Sequence, residues 1–171
     1  LVGSEMCIRD SGTPYEDKTK NGRKIKRWRL DNPNEEAIIY KAGWLRHPST
    51  QWVMKSAYNY IWLYKHMMAM NDEYKLRYNH TKDHLAIQKL GDLLRQPPKN
   101  INVRAIGTDA TPAMPDECIV PGDSVASYRK YYIMKKVRFA TWKAPSKMPD
   151  WFKEGVAVSY THLTLPTKQM V

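Results

Sequence analysis

Cysteine is scarce in this chain: Cys7 and Cys118 are the two among 171 residues. Cys7 lies within the first eleven residues, so the body of the chain holds Cys118 alone and cannot form an internal disulfide, which suits a reduced, intracellular setting. No base stands at a recognisable spacing to make Cys118 a nucleophile. Glycine is thin and scattered. Gly107 and Gly122 stand isolated, so no Gly-rich phosphate loop and no nucleophile elbow is present, and no cofactor is expected. His80 and His84 are four residues apart, but no third ligand stands nearby, so no metal site is expected. Long apolar runs are missing too. The most apolar stretch, residues 52–70, is interrupted by Lys55, Asn59, Lys65 and His66, too polar for a membrane span, and no membrane partner is expected. There is no internal repeat and no low-complexity tract. Acids are the last shortage: 17 Asp and Glu stand against 28 Lys and Arg, a net charge of +11. That balance favours a polyanionic partner, most simply DNA or RNA, with ordinary solubility charge as the alternative.

Both ends look foreign. LVGSEMCIRDS (residues 1–11) and VSYTHLTLPT (residues 158–167) resemble translated sequencing-adapter read-through. On that reading residues 1–11 and 158–171 are non-native ends, set aside as an expression tag would be. They carry two bases (Arg9, Lys168) and two acids (Glu5, Asp10), so the rest of the chain keeps its +11. Residues 12–156 are then expected to be a fragment truncated at its N-terminus, about 145 residues, enough for a single helical domain with one core. Residues missing upstream of Gly12 would contribute to any site.

Asn21-Gly22 marks a hairpin with arms at 13–20 and 23–30, because both central positions of a type I′ turn need positive φ. The hairpin is strongly basic, and Lys24, Arg27 and Arg29 lie on its second arm beside Trp28. Asn34 is expected to cap a short helix over 35–41. His47-Pro48 with Ser49 or Thr50 as cap opens a helix to about residue 78, with Asn71-Asp72 a point where it can bend or break in two. Its core face is Val53, Ala57, Tyr60, Tyr64, Met67 and Tyr74. A further helix, 83–95, is expected to bury Leu85, Leu90, Leu93 and Leu94 and to stop before Pro97-Pro98. Residues 99–121 read as a long loop with a short extended piece at 101–106. Gly122-Asp123-Ser124 opens a last helix over about 125–138, with Val125, Tyr128 and Tyr132 inward. Arg129, Lys130, Lys135, Lys136, Arg138 and Lys143 form a second basic run with no acid between Asp123 and Asp150. Trp142, Pro145, Pro149, Trp151 and Phe152 form an aromatic tail that packs back. The expected fold is mainly α, a small helical domain with a short N-terminal β-hairpin.

On the long helix Ser56, Asn59, His66, Glu73 and Arg77 follow one another at steps of 3, 7, 7 and 4 residues, which keeps them on one stripe. Polar groups among aromatics and methionines imply a partner or a task. One reading is a polar cleft in which His66 moves a proton, Glu73 orients it, and Asn59 and Ser56 complete the catalytic set. The other is a buried polar network that pins neighbouring segments. His66 and Glu73 would lie about 10 Å apart along the axis, whereas Arg77 follows Glu73 in the right order for an ion pair. His47 either bonds backbone groups at the helix start or faces the site. For nucleic acid, Arg77, Lys24, Arg27, Arg29, Arg129, Lys130, Lys135, Lys136 and Arg138 are the candidate phosphate contacts, and Trp28, Tyr131 and Trp142 the candidate stacking rings.

The pattern His47-Pro48, Trp52, Ser56, Asn59-Tyr60, Trp62-Leu63, His66, Glu73-Tyr74 and Arg77-Tyr78, followed by Thr111-Pro112, Ser127-Tyr128-Arg129, Phe139-Ala140, Trp142 and Trp151-Phe152, resembles an uncharacterised family of small bacteriophage proteins, marine ones especially. The family has no established activity; the resemblance implies a protein of the host-cell cytoplasm, and the expectation of nucleic acid rests on the basic charge. A distant similarity to the pyrimidine-dimer DNA glycosylases would extend this to DNA repair, modification or cleavage, although the N-terminal catalytic region of those enzymes has no counterpart here. Two departures from the pattern are Met54, where the family has Arg, and Asn79, where it has Gly. The expected function is a basic phage-type nucleic-acid-binding protein. The alternative is a non-enzymatic phage interaction protein that binds another protein through its aromatic and methionine surface.

Overall fold

A computed structural model describes the backbone of residues 12–164 and the side chains of residues 12–158. The N-terminal segment read as foreign lies outside the described residues, as do residues 165–171. The described chain is mainly helical with a two-stranded antiparallel hairpin at its start. It divides between Thr108 and Asp109 into two compact units.

In the first unit, strands β1 (Thr13–Lys18) and β2 (Lys24–Arg29) pair from Thr13 opposite Arg29 to Lys18 opposite Lys24. The turn differs from the expected type I′. Gly22 has φ 76° but Asn21 does not enter the positive-φ region. Gly22 N–H donates to Thr19 O (2.9 Å), so a four-residue turn is closed by one left-handed glycine, the commoner solution for a longer loop. Helix α1 (Pro33–Ile38) is capped by Asn32, whose Oδ1 accepts Asn34 N–H (3.1 Å). This is two residues before the expected cap, because Pro33 suits the first helical position. Helix α2 (Pro48–Val53) is capped by His47, whose Nδ1 accepts Ser49 N–H (3.2 Å). The imidazole therefore bonds backbone at the helix start, and neither Ser49 nor Thr50 is the cap.

The single long helix expected from residue 50 is two helices. The break falls at Met54–Ser56, and α3 (Ala57–Tyr78) begins with Ser56 as its cap, its Oγ accepting Asn59 N–H (3.1 Å). Asn71-Asp72 does not interrupt α3. It ends at Asn79 in the left-handed conformation, φ 50°. Helix α4 (Leu85–Leu90) is capped by His84, and a 3₁₀ turn, Leu93–Arg95, follows. Leu90 and Leu94 are buried as expected, but Leu85 is 58% exposed and Ile87 is buried in its place. Leu85 follows the cap directly and lies on the outer side of a short helix. The core of the unit gathers Leu30, Ile39, Ala42, Leu90 and Leu94, with Trp28, Tyr64, Met67 and Leu93 packed against it. Tyr60, 1% exposed, ties α3 to the 3₁₀ turn by donating from its hydroxyl to Leu94 O (2.9 Å).

In the second unit, helix α5 (Ser124–Tyr131) starts at Asp123, whose carboxylate accepts Ala126 N–H (2.8 Å). It widens into a π turn, Tyr132–Lys136, and closes as a 3₁₀ turn, Val137–Phe139. The expected inward face is rotated. Val125 and Tyr132 are exposed, and Ser127 is fully buried, its hydroxyl donating to Asp123 O (2.7 Å) and accepting Val120 N–H (2.8 Å). A polar side chain that satisfies loop backbone thus takes the interior position. The aromatic tail does pack back, with the rings of Trp142 and Phe152 4.9 Å apart. It also contains helix α6 (Asp150–Thr164), which sequence reading did not foresee and whose backbone runs into the C-terminal segment read as non-native. Among the described residues no helix is long and apolar enough to cross a membrane.

Candidate functional site

The five polar residues of the long-helix stripe are not gathered in one cleft. Ser56 and Asn59 are fully buried. Asn59 sits in the first turn of α3, where the Ser56 cap holds its backbone. Its Nδ2 donates to Trp52 O (2.9 Å) and to Thr108 Oγ1 (3.2 Å), and its Oδ1 accepts Thr108 N–H (3.0 Å). Trp52 Nε1 also donates to Thr108 O (2.9 Å), and Ala57 N–H to Asn102 O (3.0 Å). The loop of residues 101–108 is thereby stitched to the α2–α3 junction. Gly107 permits this closeness, since a Cβ there would meet the Tyr58 ring at 2.0 Å. For Ser56 and Asn59, then, the buried-network reading describes their hydrogen bonding: their polar atoms are engaged within the fold and face no cleft. Glu73 and Arg77 pair with each other further along α3. His66 is exposed and stacks on Trp62, centroids 5.3 Å apart and planes 14° apart, with Trp52 edge-on to Trp62 beyond it.

His66 does line an apolar groove of about 390 Å³ that runs between α3 and α4. Leu63, Met67, Met70 and Tyr74 form one wall, and Ile87 and Leu94 the other. His84 is the second imidazole on the groove. Its Nδ1 accepts Ala86 N–H (3.2 Å), so in the neutral ring the proton sits on Nε2. Beside the groove, which Asn71 helps to line, is a cluster that sequence reading missed. Buried Asn71 donates from Nδ2 to Asp83 (2.7 Å) and accepts His84 N–H (2.8 Å), and Lys75 Nζ lies 2.8 Å from the same Asp83 oxygen. The Lys75 hydrogen bond, with that of Asn71, holds the Asp83 carboxyl below its ordinary range, and the bond to Asp83 raises Lys75. The available signal was Asn71 itself, a polar residue on the core stripe between Met67 and Tyr74.

The basic residues fall into two sorts. On the hairpin, Arg27 donates to Ala42 O (3.3 Å) and is half-buried, so it braces the chain. Lys24 pairs with Glu16 (3.4 Å), and Arg29 lies over the Tyr15 ring (4.7 Å). In the second unit Lys135 pairs with Glu117 (2.6 Å), which raises the lysine and lowers the carboxyl. Arg129 covers Trp151 (5.4 Å), and Trp142 is half-buried against Phe152. Arg77, Arg27, Lys135 and Trp142 are thus occupied within the fold. Lys130, Lys136 and Arg138 remain on the surface of the acid-free segment. Lys136 lies 5.2 Å from the Tyr131 ring and 5.9 Å from that of Phe139, and Arg138 lies 4.3 Å from Phe139. Phe139 is 62% exposed. It was not among the stacking rings expected from sequence, because only the turn that follows α5 pushes it outward.

No family model, no curated protein and no solved structure matches the chain.

Proposed function

We propose that the protein binds nucleic acid, and that the surface following α5 is its principal contact. The observation that carries this reading is the stretch between Asp123 and Asp150. It holds no acid, and it folds so that Lys136 and Arg138 lie near the exposed Phe139 ring, with no ion pair to either cation among the described residues. Phosphates are drawn to such cations, and counterion release makes the affinity fall with salt. Titration of labelled DNA and RNA should show affinity falling steeply between roughly 50 and 200 mM salt. Replacing Lys130, Lys136 and Arg138 together by alanine should flatten the logarithmic salt slope by about 2–3 on duplex. Affinity indifferent to salt, or a slope unchanged in the triple variant, would sink the reading.

A phage-type binding protein of the host-cell interior fits this chemistry without a reaction. Of the four residues first considered for catalysis, Ser56 and Asn59 are buried and Glu73 holds Arg77, which leaves His66 as the surface group to test for repair, modification or cleavage. The groove on α3 supports the second reading, a contact with another protein through aromatic and methionine side chains. Salt-independent binding would favour it.

A further inference from the structure

We infer that the turn following α5 reads single-stranded nucleic acid, DNA or RNA, by stacking an unpaired base on Phe139 while Lys136 and Arg138 hold the adjoining phosphates. The inference rests on the nucleic-acid reading above and narrows it from any polyanion to an unpaired strand.

Three observations combine. The Phe139 ring is 62% exposed although phenylalanine is a wholly apolar side chain, and it belongs to a 3₁₀ turn of three residues that holds it at the end of a helix. In a duplex the base faces are covered by their neighbours, so a ring standing out from the surface stacks on an unpaired base without the cost of opening a base step. Next, the helix register changes just here. A π turn of five residues passes into a 3₁₀ turn, and Lys136 and Arg138 both lie within 6 Å of the Phe139 ring centroid. π turns are often found at functional sites. Last, Glu117 is held by Lys135, and among the described residues no ion pair engages Lys136 or Arg138.

The chemistry of the patch suits a sequence-tolerant contact. A phenylalanine face stacks on any base, and a guanidinium adds a second flat cationic surface beside it. The patch presents no amide or carboxylate side chain for reading a base edge, so affinity should depend on strandedness more than on sequence.

The test is a set of anisotropy titrations of the full chain with oligo-dT, oligo-U and a duplex of equal length at fixed salt. Wild type should bind the single strands more tightly than the duplex, and the dT and U arms show which sugar is preferred. Phe139→Ala should weaken single-strand binding by about 5- to 150-fold, the value of one stacked base. It should leave duplex binding and the salt slope unchanged, and Phe139→Trp should restore affinity. The ring is exposed, so an unchanged thermal melt of Phe139→Ala confirms that folding is intact. Lys136→Ala with Arg138→Ala should reduce the slope on every strand. Equal or tighter binding of the duplex, or single-strand affinity unmoved in Phe139→Ala, overturns the inference while salt-dependent binding stands. Failure to bind any strand overturns both.

Discussion

At the scale of single residues, the side chains that look most chemical on paper are largely structural, and the reason is accessibility. Asn59 has every side-chain donor and acceptor used by Trp52 and Thr108. Asn59→Ala should therefore cost about 2–3 kcal/mol in urea unfolding, because it strands buried partners as well as losing its own bonds. Nucleic-acid affinity of the folded protein should not change; a loss of affinity with full stability would return Asn59 to a functional role. Asp83 supports a different measurement. Its carboxyl is held below the ordinary range by Lys75 and Asn71. A lowered carboxyl contributes stability above its unfolded pKa and loses it as pH falls through the folded value. The stability difference between wild type and Asp83→Asn should be largest near neutrality and close in acid, with a small size because the pair is exposed. A difference constant with pH would remove the ion pair from the account. The stripe on residues 56–77 was legible as a pattern in the sequence. Burial was not, since a spacing of 3 and 7 residues places groups on one side of a helix without saying which neighbour covers them.

At the scale of elements, helix starts and stops were readable where one residue decides them and unreadable where a distant segment does. Pro48 and His47 open α2, and the hairpin, α1 and the starts of α4 and α5 fall close to where caps and turn residues point. The break at Met54–Ser56 was missed because Met54-Lys55-Ser56 holds no proline or glycine and is helix-compatible. It exists because Ser56 caps a new helix and the loop at Asn102 takes the Ala57 N–H. Conversely α3 runs through Asn71-Asp72. The Asn71 amide bonds Asp83 and His84 across the turn instead of its own backbone, which removes the competition that makes asparagine a helix breaker. The end of α3 invites a test. Asn79 adopts φ 50°, a conformation glycine takes without strain. Asn79→Gly should stabilise the protein by about 0.5–1 kcal/mol in a thermal melt. A destabilised variant would mean that the asparagine side chain does more than tolerate the turn.

At the scale of the whole molecule, the excess of 28 bases over 17 acids and the spacing of apolar residues are enough to read a mainly helical protein with a basic hairpin and a strong net positive charge. Net charge and hydrophobic period are properties of the chain and survive any rearrangement of it. Which cations face a ligand is another matter. Arg27 and Lys135 carry the same charge as Arg138, yet the first braces Ala42 and the second meets Glu117. That choice depends on which carbonyls and carboxylates folding brings within a few ångströms. The same holds for Phe139, exposed on a 3₁₀ turn that no local propensity announces. Composition and periodicity determined the class of fold and the sign of the net charge. Only the packed chain decided which rings and charges stay uncovered, because burial is set by residues far apart in sequence.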